Sequence, residues 1–508
     1  MYLKNSILYS DISKITIFLI ASLSLGLIIR FNYLQDNIPL TLDSLDYFLL
    51  ATDISILGNL PIGHNDPNNG WSLFLSIIFQ TFSSENFLDY MMIQRMCSVI
   101  LSVLTTIPLF FLAKKFFKKE IAMVGACFFI FSPYMIENSL LGITDSLFIF
   151  LTTSFLALFF SKKKVNVLSS FLILGLSTFI RYESFLLIFP AVMIFIYRYN
   201  ENKFRKYLVI GIVLFLVVIT PIAIWNYQMG IPYGITNSVS SGVNIVINEN
   251  SINSNTSDRF DIVRGIYKLP QYFGISLLPL CLIFIPYSII PLLKKQNKNF
   301  RYLVYFAIVS AIPAFYAYSR GFEEIRYMLF ISPVLIVASL FLIEKLDLRV
   351  KKNVIPISLI ILIILSSLIY LDFRQSNQEY ELEAIEVARF VSDIPGKVNG
   401  YGKEAYYVEA IELENHKFPI LSSEIHFPKR LTFASGNTLD EIFKNFKNSE
   451  TEYLAIKESS MEANPVLKEI FYEENPYFVK IYDSKENNLK EFSIKIFRID
   501  FEKFDLRN

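Results

Sequence analysis

Asp43, Asp46 and Tyr47 stand at i, i+3 and i+4 in the run Asp43-Ser44-Leu45-Asp46-Tyr47, so one helical face would present two carboxylates and a phenol. A plainer reading makes Asp43 the N-cap of its helix, and capping is compatible with a chemical role. Glu137 and Asp145 bracket a second short polar stretch. Asp145 precedes Ser146-Leu147-Phe148, where it or Thr144 could cap a helix. The functional alternative for Glu137 and Asp145 is a pair of metal ligands at a cavity shared with Asp43, suited to a divalent ion such as Mg or Mn.

Guanidinium groups form the other set, in Arg181-Tyr182-Glu183 and in Arg320-Gly321-Phe322-Glu323-Glu324-Ile325-Arg326-Tyr327. An interfacial Arg often only snorkels toward water. Three of them on a side otherwise poor in cations call for an anionic ligand, most simply a phosphate on a lipid. His64, His416 and His426 are too scattered for a preformed His-rich metal site, and Cys97, Cys127 and Cys281 lie in apolar runs as small core hydrophobes.

The elements that must position these residues are membrane spans. Of 508 residues, 53% are hydrophobic and only 18% charged, against about a quarter charged in an ordinary soluble domain. A mean hydropathy of +0.43 agrees with a lipid solvent for part of the surface. Net charge is +1, and Lys and Arg fall in short clusters rather than along one face, so nucleic acid is not a partner. Apolar stretches cover residues 12–30, 91–113, 121–136, 143–160, 165–180, 182–197, 207–226, 271–293, 302–318, 326–343 and 354–371. They predict about eleven transmembrane helices. The fifth and sixth meet at Arg181, as a hairpin of tilted helices or as one broken segment.

Every second loop carries a basic cluster: Lys114, Lys115, Lys118 and Lys119; Lys162, Lys163 and Lys164; Lys203, Arg205 and Lys206; Lys294, Lys295, Lys298 and Arg301; Arg349, Lys351 and Lys352. By the positive-inside rule these loops and the N-terminus are cytoplasmic. No cleavable signal peptide is evident. Residues 31–90, 137–145, 227–270, 319–325 and everything after 371 then face outward, and the polar residues of interest fall among them. The run Trp71 to Phe82 is too short to span and reads as an interfacial helix, whereas the Asn- and Ser-rich stretch 237–258 reads as a mobile loop. Two domains result: a membrane domain over residues 1–372, including the first outer loop 31–90, and an extracytoplasmic α/β domain over 373–508. In the latter, Ala384, Val387, Ala388 and Val391 recur at helical spacing, while Phe492, Ile494 and Ile496 alternate as a strand does.

These motifs, in this order and on one side, resemble the GT-C membrane glycosyltransferases, in the branch of the protein O-mannosyltransferases and lipid A aminoarabinose transferases. The carriers are Asp43 to Tyr47, Asn69-Gly70-Trp71-Ser72-Leu73, Thr144-Asp145-Ser146-Leu147, Arg181-Tyr182-Glu183 and Ile325-Arg326-Tyr327. The resemblance implies inverting transfer of a sugar from a polyprenyl-phosphate-linked donor to a hydroxyl of a protein, lipid or glycan acceptor at the outer face. A lipid phosphate leaves as a stable anion, so one carboxylate base and cations for the leaving group suffice. Asp43 is then the base and Asp46 and Asp145 helpers or metal ligands. Arg181, Arg320 and Arg326 clamp phosphate, and Tyr47, Glu183 and Tyr327 line the substrate. Ser44 stands where this family commonly has an acidic residue, and the Trp-Trp-Asp signature of oligosaccharyltransferases is missing. The rival from another class is a secondary transporter of a small anionic solute, disfavoured because the ionisable residues collect at one face rather than at the midplane.

Overall fold

The computed structural model describes residues 2–61, 68–198, 202–228, 260–276, 298–347, 354–375, 378–425, 431–432, 435–473 and 475–506. His64, His426, Cys281, Lys294, Lys295, Arg349, Lys351, Lys352, the stretch 237–258 and most of the apolar run 271–293 lie outside them. The chain divides into two compact units. One comprises Met1–Leu34, Leu60–Leu75 and Gln94–Leu371; the other comprises Gln35–Asn59, Ser76–Ile93 and Asp372–Asn508.

The first unit is helical. Helices α1 (Tyr2–Asn32), α4 (Phe87–Leu104) running into α5 (Thr106–Ala113), α11 (Asn202–Gln228), α13 (Lys298–Ser319) and α16 (Val354–Gln375) contain the segments long and apolar enough to cross a bilayer. These are five of the eleven apolar runs. Taken together, α6 (Lys119–Ile130) and α7 (Pro133–Leu140), bent by 47°, are also long and apolar enough to make a sixth. The remaining runs form shorter helices among the described residues: α8 (Asp145–Phe159), α9 (Lys164–Ile180), α10 (Ile188–Arg198) and α15 (Ser332–Asp347). The chain is thus a polytopic helical membrane protein with five or six full-length candidate spans among the described residues.

The bend between α6 and α7 has a local cause. Pro133 has no N–H and pushes Ser132 out of the helical region, to φ −67° and ψ 124°. The carbonyls freed there are taken by side chains. Arg30, fully buried at the end of α1, donates from Nη1 to the Ile130 carbonyl at 2.9 Å and to the Gly26 carbonyl at 3.1 Å. Its Nε reaches Ser139 Oγ and its Nη2 reaches Ser102 Oγ, each at 3.2 Å, and Ser367 Oγ donates to the Phe131 carbonyl. One guanidinium therefore ties α1, α4, α6 and α7 together. In the sequence Arg30 stands as the last residue of an apolar span. Cys127 is buried in this core as expected, while Cys97 is only partly buried.

The second unit holds a five-stranded sheet in the order β2-β1-β3-β5-β4, formed by β1 (Lys397–Asn399), β2 (Leu431–Thr432), β3 (Thr451–Lys457), β4 (Phe478–Asp483) and β5 (Ile494–Ile499). The β1 pairings are parallel and the β5 pairings antiparallel. Alternation along each strand feeds two cores. Tyr453, Ala455, Ile494 and Ile496 enter one, together with Ala384, Val387, Ala388 and Val391 of α17 (Gln378–Asp393), as the helical spacing and the alternation anticipate. Leu454, Ile456, Phe497 and Ile499 enter the other, against Phe443 of α19 (Leu439–Ser449) and Phe471 of α20 (Pro465–Tyr472). Ile38 joins the first of these cores, so the chain just after α1 packs with the C-terminal residues. Within the same unit α2 (Asp43–Leu57) sets Phe48 edge-on to Phe79 at 5.8 Å and to Phe87 at 6.1 Å.

Candidate active site

Asp145, Arg181 and Glu183 form one node. Thr144 occupies the cap position of α8 without a side-chain hydrogen bond, and Asp145, the first helical residue, pairs instead with Arg181 Nη1. Arg181 Nη2 meets Glu183 Oε1 at 2.7 Å. The Asp145 side chain is only 4% exposed, so its charge depends on this guanidinium. Arg181 can reach it because α9 ends there: its backbone is extended, and a 3-10 turn over Tyr182–Leu187 follows. Ser184 closes the break, donating from its N–H to the Arg181 carbonyl at 3.2 Å and sharing a 3.0 Å hydrogen bond with Thr178 Oγ1. The run 165–197 is divided at Arg181, where the 3-10 turn joins α9 to α10, a break common to both readings.

Residues from α3 (Gly70–Phe79) brace this node. Trp71 Nε1 at 3.1 Å and Gln94 Nε2 at 2.8 Å both donate to the carbonyl of Gly142, which takes a positive φ of 72° in the turn leading to Asp145. Asn68 Oδ1 accepts from the Tyr182 N–H at 3.3 Å. A Cβ on Gly70 would lie 2.6 Å from the Phe179 carbonyl oxygen and 2.9 Å from Ile180 Cα, both backbone atoms next to Arg181. Gly70→Ala is therefore expected to cost about 1–3 kcal/mol by overpacking and to push the α3 terminus off the Arg181 break. A lowered thermal midpoint together with reduced turnover in the purified variant checks this, and unchanged values in both would refute it.

A second node surrounds Glu323. Arg264 and Lys268, from α12 (Ile262–Ser276), reach its carboxylate at 2.5 and 2.7 Å, and Tyr272 Oη donates to its carbonyl at 3.1 Å. The bonds from Lys268 and then Arg264 hold the Glu323 carboxyl down at about 2, so it stays anionic at any working pH. Tyr272 stacks on Tyr318 at 4.8 Å, and Tyr318 meets Tyr327 edge-on at 6.2 Å. Arg326 pairs through Nε with Glu324 and lies 5.6 Å from the Tyr327 ring; Arg320 lies 5.7 Å from the Phe322 ring. Arg181 also lies 5.5 Å over Phe148, whose ring is 5.6 Å from Phe330.

In the second unit, Asp43 is the first residue of α2 rather than its cap. The cap is Leu42, at a positive φ of 54° with no side-chain hydrogen bond. Such a conformation is costly for a branched side chain and persists only when its surroundings impose it. Asp43 and Asp46 are exposed, and Tyr47 is partly buried.

Residues 74–225, which include Asp145, Arg181 and Glu183, match the family model described as dolichyl-phosphate-mannose-protein mannosyltransferase. Over these residues the chain is similar to that family of glycosyltransferases. Among curated proteins none matches this sequence. Solved structures share its fold. ArnT from Cupriavidus metallidurans bound to undecaprenyl phosphate is 10% identical with a TM-score of 0.57, over 94% of this chain and 97% of that one. The oligosaccharyltransferase AglB from Archaeoglobus fulgidus, in complex with an inhibitory peptide and a dolichol-phosphate, is 14% identical with a TM-score of 0.53, over 91% and 72%. The Archaeoglobus fulgidus enzyme in complex with Zn and sulfate is 15% identical with a TM-score of 0.54, over 90% and 71%.

The carboxylates expected to hold a metal have other neighbours. Glu137 Oε2 accepts from Tyr370 Oη at 3.0 Å, and Asp145 pairs with Arg181. Among the described residues no group of three or more His, Cys, Asp and Glu is placed to hold a metal ion. Sequence reading missed Arg264, Lys268 and Gln94, and gave Trp71 only as part of a motif, without its bond to Gly142. Gln94, a lone amide in an apolar run, and Trp71, one of two tryptophans, were visible signals. Arg264 and Lys268 were not, because they meet Glu323 only across 59 and 55 residues.

Proposed function

We propose that this transferase moves a sugar from a polyprenyl-phosphate-linked donor to a hydroxyl acceptor by a single inverting displacement. The observation that carries this reading is the match of residues 74–225 to a family described by its dolichyl-phosphate-mannose donor. The likeness in fold to ArnT bound to undecaprenyl phosphate supports it. So does the presence of Arg181, Arg264, Lys268, Arg320 and Arg326, since guanidinium and ammonium groups suit a phosphate leaving group.

In this reading the acceptor oxygen attacks the anomeric carbon as the bond from that carbon to the phosphate oxygen breaks. The acceptor proton passes to the Asp43 carboxylate, with Asp46 beside it as helper. The departing phosphate takes the bonding electrons and is held by Arg181, Arg320 and Arg326, while Tyr47, Glu183 and Tyr327 line the substrate. The membrane domain over residues 1–372 crosses the bilayer about eleven times, the shorter helices completing the count. The N-terminus and the Lys-rich loops face the cytoplasm, and residues 373–508 face outward.

The test is purified protein incubated with a panel of radiolabelled polyprenyl-phosphate sugars and candidate acceptors, following release of polyprenyl phosphate. Release coupled to labelling of an acceptor supports the reading. Binding of a small anion with transport into proteoliposomes and no release would replace it with the transporter.

A further inference from the structure

The C-terminal residues attach to the first outer loop through a short segment, residues 417–422, inside one compact unit. Its strongest contact is to Asp53 on α2. The Ser422 N–H donates to Asp53 Oδ1 at 2.7 Å, and the Ser422 hydroxyl donates to Oδ2. Asp53 is only 7% exposed, so its carboxylate has lost most of its water and both oxygens draw on this one residue. Nearby, the Phe418 ring lies 4.4 Å from Tyr90 and edge-on to Phe87 at 5.9 Å, and its N–H donates to the Glu85 carbonyl at 3.0 Å. Lys417 Nζ meets Glu85 Oε2 at 2.7 Å, an exposed pair that adds little.

Asp53 shares α2 with Asp43 and Asp46. Two turns separate Asp46 from Asp53, so they lie on one helical face. Asp43 lies about 15 Å from Asp53 along the rod at 1.5 Å per residue. A helix of this length moves as a body, so a tilt at Asp53 displaces Asp43. A misplacement of about 1 Å in a reacting group can cost on the order of a hundredfold in rate.

We infer that Asp53 and Ser422 are positioning residues, through which segment 417–422 of the C-terminal domain holds the helix bearing Asp43. The domain is then part of the catalytic apparatus rather than a separate binding module. The activity readout of this inference rests on the proposed function, while its structural readout does not.

The test uses the full chain with Cys97, Cys127 and Cys281 replaced by Ala. A thiol placed at position 43, in Asp43→Cys, reports the position of α2 by its maleimide labelling rate. Adding Asp53→Ala is expected to change that rate severalfold, and an unchanged rate overturns the inference whether or not the protein is active. With Asp43 intact, Asp53→Ala is expected to lower kcat about ten- to a hundredfold with the donor KM within about twofold. In Asp53→Cys/Ser422→Cys, oxidation to the disulfide should restore kcat relative to the reduced form. Equal kcat in the oxidised and reduced pair, or a kcat in Asp53→Ala within twofold of its parent, also overturns it. An altered labelling rate in a protein that turns over no donor would keep the latch and sink the proposed function.

Discussion

Asp43→Asn is expected to lose about a hundred- to ten-thousand-fold in turnover at saturating donor while still binding that donor, the usual contribution of a general base. Asn keeps the size and most of the hydrogen bonding of Asp but cannot take the proton. The variant separates this role from a helix-end role, because a carboxylate in a first turn is worth only about 0.3–1 kcal/mol to the helix. Capping is not at issue, since Leu42 holds the cap position and makes no side-chain bond. The variant should therefore keep a near-normal thermal midpoint. Asp46→Asn should lose less turnover. Near-normal activity in Asp43→Asn would remove Asp43 as the base and leave Asp46 the next candidate, because Asp145 is the counter-ion of Arg181.

The positions that sequence revealed are those whose reason is local. Ala384, Val387, Ala388 and Val391 face one core of the C-terminal sheet because a helix repeats every three to four residues, and Ile494 and Ile496 do so because a strand alternates. The break at Arg181 shows as a polar triplet between two apolar runs. What sequence hid depends on contacts between distant segments. Arg264 and Lys268 read as loop charges until the fold carries them to Glu323, and Asp53 reads as one more polar residue of α2 until Ser422 arrives across 369 residues. Hydropathy has a related limit. It finds apolar runs but not whether each makes one straight helix, and Pro133 divides one run while Arg181 separates two others. Arg30 is the sharpest case: its charge marks the end of a span, yet its hydrogen bonds serve a bend a hundred residues away.

Arg181 and Arg326 should respond differently to the same truncation, because their carboxylate partners differ in burial. Glu324 is 54% exposed, and an exposed pair contributes little to stability. Arg326→Leu is therefore expected to keep its thermal midpoint. If it serves the donor phosphate, it should raise the donor Kd roughly ten- to a hundredfold, since a charge-assisted hydrogen bond is worth about 1.5–3 kcal/mol. Arg181→Leu strands Asp145, whose side chain is 4% exposed, and breaking such a buried pair costs about 3–5 kcal/mol. That variant should lose stability and donor affinity together, which alone cannot say whether Arg181 binds phosphate. Adding Asp145→Asn decides it. The double variant Asp145→Asn/Arg181→Leu removes the more buried of the two charges that Arg181 held, Glu183 being 16% exposed, and should recover part of the thermal midpoint, but it restores no cation, so donor affinity should stay low. Stability measured by thermal unfolding and donor binding measured by equilibrium titration then separate the two roles of one guanidinium. A double variant that is stable and binds donor as tightly as the wild type would make Arg181 a structural residue, leaving Arg320 and Arg326 to hold the phosphate.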